Sequence, residues 1–317
     1  MKLLSAFFRL IRWPNLVFIA LTQILFYYCI IIPTLPPGYD NVPYKLSPLI
    51  FYLLVLASVL IAAAGYIIND YFDINIDQVN KPAKIIVQKI IKRRWAIVLH
   101  ILLTLAGLVL SFYVSYKTSF VIVAANLGCA LLLWVYSTTF KRKLLTGNII
   151  ISGLTAWTVL VLYFAAHPIF PLRPSEVEGM RLGMQTIYKF AALYAGFAFI
   201  ISLIREVVKD IEDMDGDKRY DCKTMPIVWG VPPSKVFVGV WLVVLIGALI
   251  VVQFYLLQIG WWISSLYILL LVIIPLFYVL RQFYHAQTPA QYHRISTLVK
   301  LVMLTGILSM ILFRFEV

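Results

Sequence analysis

Nine stretches of about 20 consecutive apolar residues dominate this chain, each long enough to cross the roughly 30 Å hydrocarbon core of a bilayer as an α-helix. They fall near residues 15–33, 48–68, 95–115, 119–136, 148–166, 185–204, 236–257, 261–280 and 297–313. In hydrocarbon every backbone N–H and C=O must find its partner inside the protein, which a helix achieves within one segment. The expected fold is therefore all-α, a polytopic membrane protein forming one domain over residues 1–317. Of the 317 residues, 62% are hydrophobic and 13% charged, against about 45–50% and 25% in soluble domains. That excludes a disordered chain, a collagen and a soluble nucleic-acid binder, although the formal charge is +13. Cys29, Cys129 and Cys222 are few and scattered, so no disulfide framework is expected. The first run is longer than a signal-peptide core, and Tyr27, Tyr28 and Cys29 do not resemble a cleavage site, so it reads as a retained anchor.

Most of the 27 basic residues collect in alternate connections. Lys2, Arg9 and Arg12 precede the first run; Lys81 to Arg94 follow the second; Lys141, Arg142 and Lys143 follow the fourth; Arg205 to Lys235 surround the end of the sixth. The positive-inside rule then puts the amino terminus and these connections on the cytoplasmic side, with the chain integral to the cell membrane.

The acids are more sharply localised. All but four of the 14 lie in two clusters, Asp70, Asp73 and Asp77, and Glu206, Asp210, Glu212, Asp213, Asp215, Asp217 and Asp221. Each cluster ends an apolar run, the second and the sixth. On a continuous helix Asn69, Asp73 and Asp77 fall at about 0°, 40° and 80°, and Glu206, Asp210, Asp213 and Asp217 share a similarly narrow face. Like charges stacked at i, i+3 and i+4 repel, so such stripes need a cationic partner. Charge runs are most often solvated helix ends. Two clusters on one side, holding most of the acid of a very apolar chain, point instead to a site. Hard oxygen donors so spaced suit Mg²⁺ bridging to a phosphate.

These residues carry a resemblance. Asn69-Asp70-Tyr71-Phe72-Asp73-Ile74-Asn75-Ile76-Asp77 is similar to the NDxxDxxxD signature of the UbiA-type intramembrane prenyltransferase superfamily. The segment Arg205 to Lys218 resembles its second aspartate motif. Its form KDxEDxxGD, with Thr224-Met225-Pro226 to Gly230 downstream, looks most like the branch of digeranylgeranylglyceryl phosphate synthases; homogentisate prenyltransferases carry a similar KDxxDxxGD. The resemblance implies nine helices in a helical barrel of two four-helix halves plus a ninth. It also implies Mg²⁺ on Asn69, Asp70, Asp73 and Asp77 and on Asp210, Asp213 and Asp217, holding the diphosphate of a polyprenyl donor. Asn15, in Arg12-Trp13-Pro14-Asn15, is similar to the family's Arg-Pro-x-Asn lead-in. Tyr136 to Arg142, with Gly147-Asn148 downstream, looks like its Tyr…Lys-Arg segment. Where the family often has RPxRPIPSG, this chain reads Lys81-Pro82-Ala83-Lys84-Ile85-Ile86-Val87-Gln88-Lys89, with lysines for both arginines. Lysine offers a point charge in place of a bidentate fork.

The reaction so implied is transfer of a polyprenyl group, geranylgeranyl for this branch, to a lipophilic acceptor such as geranylgeranylglyceryl phosphate, forming an ether. Asp73, Asp213 and Lys141 are the candidate catalytic residues. Asn15, Asn69, Lys84, Tyr136, Lys141, Arg142 and Lys209 are the candidate substrate contacts. The carboxylates alone would repel a diphosphate, so the metal's charge is part of the site. A hydroxybenzoate, homogentisate or naphthoate acceptor would use the same metal site. A cation-coupled transporter is the reading from another class, but pathway acids tend to lie near the midplane on broken helices rather than at one face. The lipid bilayer is the expected surrounding, with no nucleic-acid partner.

Overall fold

The computed structural model describes residues 2–35, 46–80, 85–167 and 174–316. Among them nine helices are long and apolar enough to cross a membrane: Trp13–Thr34, Pro48–Phe72, Arg93–Lys117, Phe120–Thr138, Thr146–Ala166, Met180–Glu212, Val231–Gln258, Trp262–His285 and Pro289–Glu316. Each covers one expected run. Several extend well past it, because backbone hydrogen bonding continues through polar turns that hydropathy excludes. The sixth helix as a whole runs Pro174–Glu212, so the end of the long span itself carries Glu206, Asp210 and Glu212 of the second acid cluster.

Local sequence sets the ends of these helices. Ser47 caps the second span by accepting from the Ile50 N–H at 3.4 Å, with Pro48 at the first helical position. Thr288 and Gln291 form a reciprocal capping box ahead of the ninth. The first and eighth spans each contain a wide π-helical turn, Tyr27–Ile31 and Leu269–Ile273. Both turns end two residues before a proline, Pro33 and Pro275. A proline has no N–H to donate and its ring crowds the carbonyl one turn back, and the widened turn absorbs that mismatch.

The chain divides into two compact units, residues 1–140 with 157–191, and residues 141–156 with 192–317. In the first unit the second and third spans approach closely at Gly107, where a Cβ would lie 2.7 Å from the Ile61 side chain and 3.3 Å from the Ala57 carbonyl. The same pair is fastened by His100 Nδ1 against the Ala64 carbonyl at 2.9 Å. Buried amides bridge other helices of this unit. Asn126 donates to Ser111 Oγ at 2.8 Å and accepts from Trp157 Nε1 at 3.0 Å. Gln23 donates to Ser58 Oγ and the Thr158 carbonyl at 3.1 and 3.0 Å. Small residues and polar bonds of this kind replace the hydrophobic drive that lipid cannot supply.

In the second unit the sixth and ninth spans run antiparallel. Tyr194 meets Ser309, oxygen to oxygen, at 2.9 Å. Phe197 lies over Gly306, 2.6 Å from where a Cβ would sit. Near the motif end His293 Nδ1 and Glu212 Oε1 stand 2.9 Å apart. Large apolar side chains left exposed, among them Phe112, Phe120, Val251, Phe254 and Trp262, belong to faces that a bilayer would cover.

Overpacking of a tight helix contact costs about 1–3 kcal/mol. Gly107→Leu should therefore lower the melting temperature in detergent, whereas Gly128→Leu, whose Cβ would meet nothing within 4 Å, should leave it nearly unchanged.

Candidate active site

Both acid clusters are built on the same backbone device. The second span ends at Phe72, and Asp73 takes φ −89°, ψ −1° before a short helix, Ile74–Asn80. At the corresponding place after the sixth span, Asp213 takes φ −93°, ψ 4° before the short helix Met214–Arg219. This is the sparsely populated bridge region between helix and strand. The hydrogen bonds run straight through: Asp73 N–H to the Asn69 carbonyl at 3.0 Å and Asp77 N–H to that of Asp73 at 2.8 Å; Asp213 N–H to Lys209 at 2.8 Å and Asp217 N–H to Asp213 at 3.1 Å. The stripes expected on one continuous helix therefore survive as i, i+4 series, each pivoting on its central aspartate.

The lead-ins repeat as well. Arg12 adopts left-handed φ 50° just before the first span, and Leu145 φ 55° just before the fifth. Three residues on stand Asn15 and Asn148. Asn148 Nδ2 donates to Asp210 Oδ2 at 2.8 Å, and Arg12 NH2 donates to Asp70 Oδ1 at 2.7 Å. Asp70 and Asp210 each lie three residues before their pivot. Each unit thus carries a left-handed lead-in, a donor reaching the motif and an aspartate at a helix break.

Around Asp73 the packing is tight. It is only 4% exposed, and Asn69 Nδ2 donates to its Oδ2 at 2.7 Å. Asp70, grouped with the metal ligands from the signature, has Oδ1 engaged by Arg12, which also stacks over the Tyr66 ring at 5.2 Å. Burial alone would loosen the guanidinium's hold on its proton. The charge of Asp70 at contact, helped by Tyr66 and Asp73, outweighs this and raises its pKa above the ordinary value, so the cation is permanent. Arg93 stacks over Tyr71 at 4.8 Å, which fixes the other side of the motif. Asp77 is half-buried on the short helix, and Asn15 is half-buried one turn into the first span.

In the second unit Lys209, expected to meet substrate, lies 2.7 Å from Glu206 Oε1, and Arg205 NH1 reaches the same oxygen at 3.3 Å. Asp210 lies in the field of Glu206 and Asp217. Asp217 is 9% exposed, and its carbonyl gathers the following turn by accepting from Tyr220 and Cys222 at 3.2 and 3.1 Å. Lys141 and Arg142 occupy a 3₁₀ turn, Phe140–Arg142, and the Arg142 carbonyl accepts from Lys223 N–H at 2.8 Å. That bond ties the basic segment to the stretch after the second motif. Tyr136, half-buried, closes the fourth span in the first unit. Lys84 lies outside the described residues. Arg12 and Asn148 were quoted above only as motif neighbours; their parallel placement before the first and fifth runs was the available signal.

The donor chemistry fits Mg²⁺. Among the described residues no three His, Cys, Asp or Glu side chains converge on one metal position. Mg²⁺ asks for less: one or two carboxylates, with water and phosphate oxygens completing the octahedron. Asp73 with Asp77 and Asp213 with Asp217 offer such pairs at i, i+4 spacing.

Nine apolar helices among the described residues, with an aspartate pivot after the second and the sixth, here belong to an intramembrane prenyltransferase. The chain belongs to the UbiA prenyltransferase family, which it matches over residues 40–303. It is 32% identical over 257 residues to a digeranylgeranylglyceryl phosphate synthase of Methanothermobacter thermautotrophicus, covering 80% of this chain and 82% of that one. It is also 32% identical over 193 residues to the protein of that name from Thermococcus sibiricus, a match spanning 61% of this chain but 60% of the relative's length. A solved structure described as digeranylgeranylglyceryl phosphate synthase in membranes superposes with a TM-score of 0.63 at 25% identity, covering 98% of this chain and 99% of that one. A UbiA homologue from Archaeoglobus fulgidus, bound to GPP and Mg²⁺, shares the fold at 16% identity and a TM-score of 0.57, covering 96% and 99%.

Arg12 is about two-fifths exposed, so solvent weakens its pairing with Asp70. A double-mutant cycle of Arg12→Gln and Asp70→Asn should give a coupling of about 1 kcal/mol in thermal melts, and additive losses would show that the pair contributes nothing.

Proposed function

We propose that this enzyme transfers a geranylgeranyl group from its diphosphate to the free hydroxyl of geranylgeranylglyceryl phosphate, forming a second ether, at the cytoplasmic side of the membrane. The duplicated aspartate pivot carries the reading. It places acidic oxygen donors at the ends of two apolar helices, where a charged diphosphate head could be held while its isoprenoid tail stays in an apolar environment. The name and identity of the archaeal relatives support the acceptor, and the GPP- and Mg²⁺-bound homologue supports the donor chemistry.

Mg²⁺, when bound, would neutralise the diphosphate and stabilise the negative charge that develops as it leaves. Asp73 and Asp77 would hold it in the first unit, and Asp210, Asp213 and Asp217 in the second. Asn69 orients the Asp73 carboxylate through its amide, and Asn148 does the same for Asp210. Arg12 keeps Asp70 in place, which leaves Asp73 as the inner carboxylate of that motif. Lys141 and Arg142 add fixed positive charge for the departing diphosphate, as electrostatic stabilisation requires. Tyr136 and Asn15 are assigned to donor binding, and so is Lys84. Carbon–oxygen bond cleavage leaves allylic cation character on the donor, and the acceptor hydroxyl attacks that carbon and releases its proton. The basic excess on the motif side supports the proposed orientation, amino terminus inward.

The test is transfer from labelled geranylgeranyl diphosphate by purified protein with Mg²⁺. Product is expected with geranylgeranylglyceryl phosphate and none with hydroxybenzoate, homogentisate or naphthoate. Chelation of the metal should abolish turnover. Asp73→Asn and Asp213→Asn should each lower kcat at least a hundredfold with unchanged melting temperature, a scale typical of lost charge stabilisation. Product only with a phenolic acid would overturn the acceptor, and near-normal turnover in both variants would overturn the metal assignment.

A further inference from the structure

One helix takes no part in the nine spans. Lys2–Leu10 is about 14 Å long, less than half of the hydrocarbon core, so it cannot cross. It lies at the end of the first span that meets the first aspartate motif. Arg12 fixes that placement: it turns the chain at left-handed φ 50° just before the span, and its guanidinium reaches Asp70 near the close of the second span.

An ordinary surface helix has two sides, one apolar and buried, one polar and wet. Helical spacing gives this one three. Counted from Leu3, Ala6 and Leu10 fall at about 300° and 340° and are buried, with Phe7 half-buried at about 40°. Ser5 and Arg9, at about 200° and 240°, are polar and exposed. Leu4 and Phe8, at about 100° and 140°, are apolar, yet 63% and 45% exposed. Leu3, in the first turn, is exposed as well. The Phe8 ring stands edge-on to Phe7 at 6.0 Å, so it extends the apolar side outward.

The buried side joins the helix to the motif. Ala6 and Leu10 share one core with Ile67 of the second span, with Ile74, the residue after the pivot Asp73, and with Ile86 and Val87 of the connection that follows. That connection is folded on itself, Gln88 N–H donating to the Ile91 carbonyl at 2.8 Å.

The Leu4–Phe8 edge has no cover among the described residues, and its place in the chain indicates one. The next exposed apolar side chains are Trp13 and Val17, at the start of a helix that crosses the bilayer. Tryptophan is enriched where such helices meet the headgroups. An apolar edge at that level, with a basic polar edge beside it, is the pattern of a helix lying in the interface plane. We propose that Lys2–Leu10 is an interfacial helix that inserts Leu4 and Phe8 into the headgroup boundary of the motif-side leaflet and, through Ala6 and Leu10, fastens the first aspartate motif to the membrane surface. The proposal is independent of which acceptor is used.

The test reads depth and coupling separately. Spin labels are placed one at a time at Leu4→Cys, Ser5→Cys, Phe8→Cys and Arg9→Cys of the full chain carrying Cys129→Ala, the half-buried native thiol; Cys29 and Cys222 are buried. In proteoliposomes, labels at 4 and 8 should relax at least threefold more with oxygen than with a water-soluble nickel chelate, and labels at 5 and 9 should show the reverse preference. A chelate preference at 4 and 8 would overturn the proposal. Exclusion of both relaxants there would overturn it too, since a protein surface would then be the cover, with dipolar broadening marking a second copy of the chain. Hydrogen exchange in nanodiscs reads the coupling. The double variant Leu4→Gln with Phe8→Gln should speed exchange over Ile74–Asn80 at least fivefold and leave Met214–Arg219, in the other unit, within twofold. Acceleration of both short helices alike, or of neither, would overturn the fastening of the motif.

Discussion

A carboxylate carried to the end of an apolar helix is the group this structure must accommodate, because hydrocarbon offers it neither water nor counter-ion. The chain does so twice by the same means. The helix pivots at an aspartate without breaking its hydrogen-bond series, and a donor from a neighbouring lead-in reaches the carboxylate three residues earlier. A straight helix would point its next acids along the bilayer normal with like charges stacked. The pivot keeps the i, i+4 hydrogen-bond spacing into the short helix that follows. In the first unit the Arg12–Asp70 pair and the Arg93–Tyr71 stack flank that pivot.

The two units solve the problem with different electrostatics. In the first, Asp70 is met by the permanent charge of Arg12, so that corner is close to neutral before any ligand binds. In the second, Asp210 is met by the neutral amide of Asn148 and lies near Glu206 and Asp217. Arg205 and Lys209 both pair with Glu206, which shares the face of Asp210.

Much of this was legible in the sequence, and the reason is physical. Bilayer thickness sets span length, so nine apolar runs gave nine helices. Acids are so costly in such a chain that their clustering located the motifs before any coordinates. Three things were not legible. Hydropathy missed the true length of the sixth helix, since the charged turns from Arg205 to Glu212 lower the average without interrupting hydrogen bonds. Periodicity assumed a continuous helix and could not show the pivots at Asp73 and Asp213, which are set by two backbone angles each. Nor could it pair Arg12 with Asp70 or Asn148 with Asp210, because these contacts join residues far apart in the chain and depend on packing register.

The most direct test of the account is to count divalent ions bound to the protein together with a non-hydrolysable geranylgeranyl diphosphate analogue, using Mn²⁺ and its paramagnetic signal. The account predicts one ion for each aspartate motif, with Asp73→Asn and Asp213→Asn each losing a different one while the other remains. Full occupancy in both variants, or binding of the analogue undiminished with no metal at all, would contradict it.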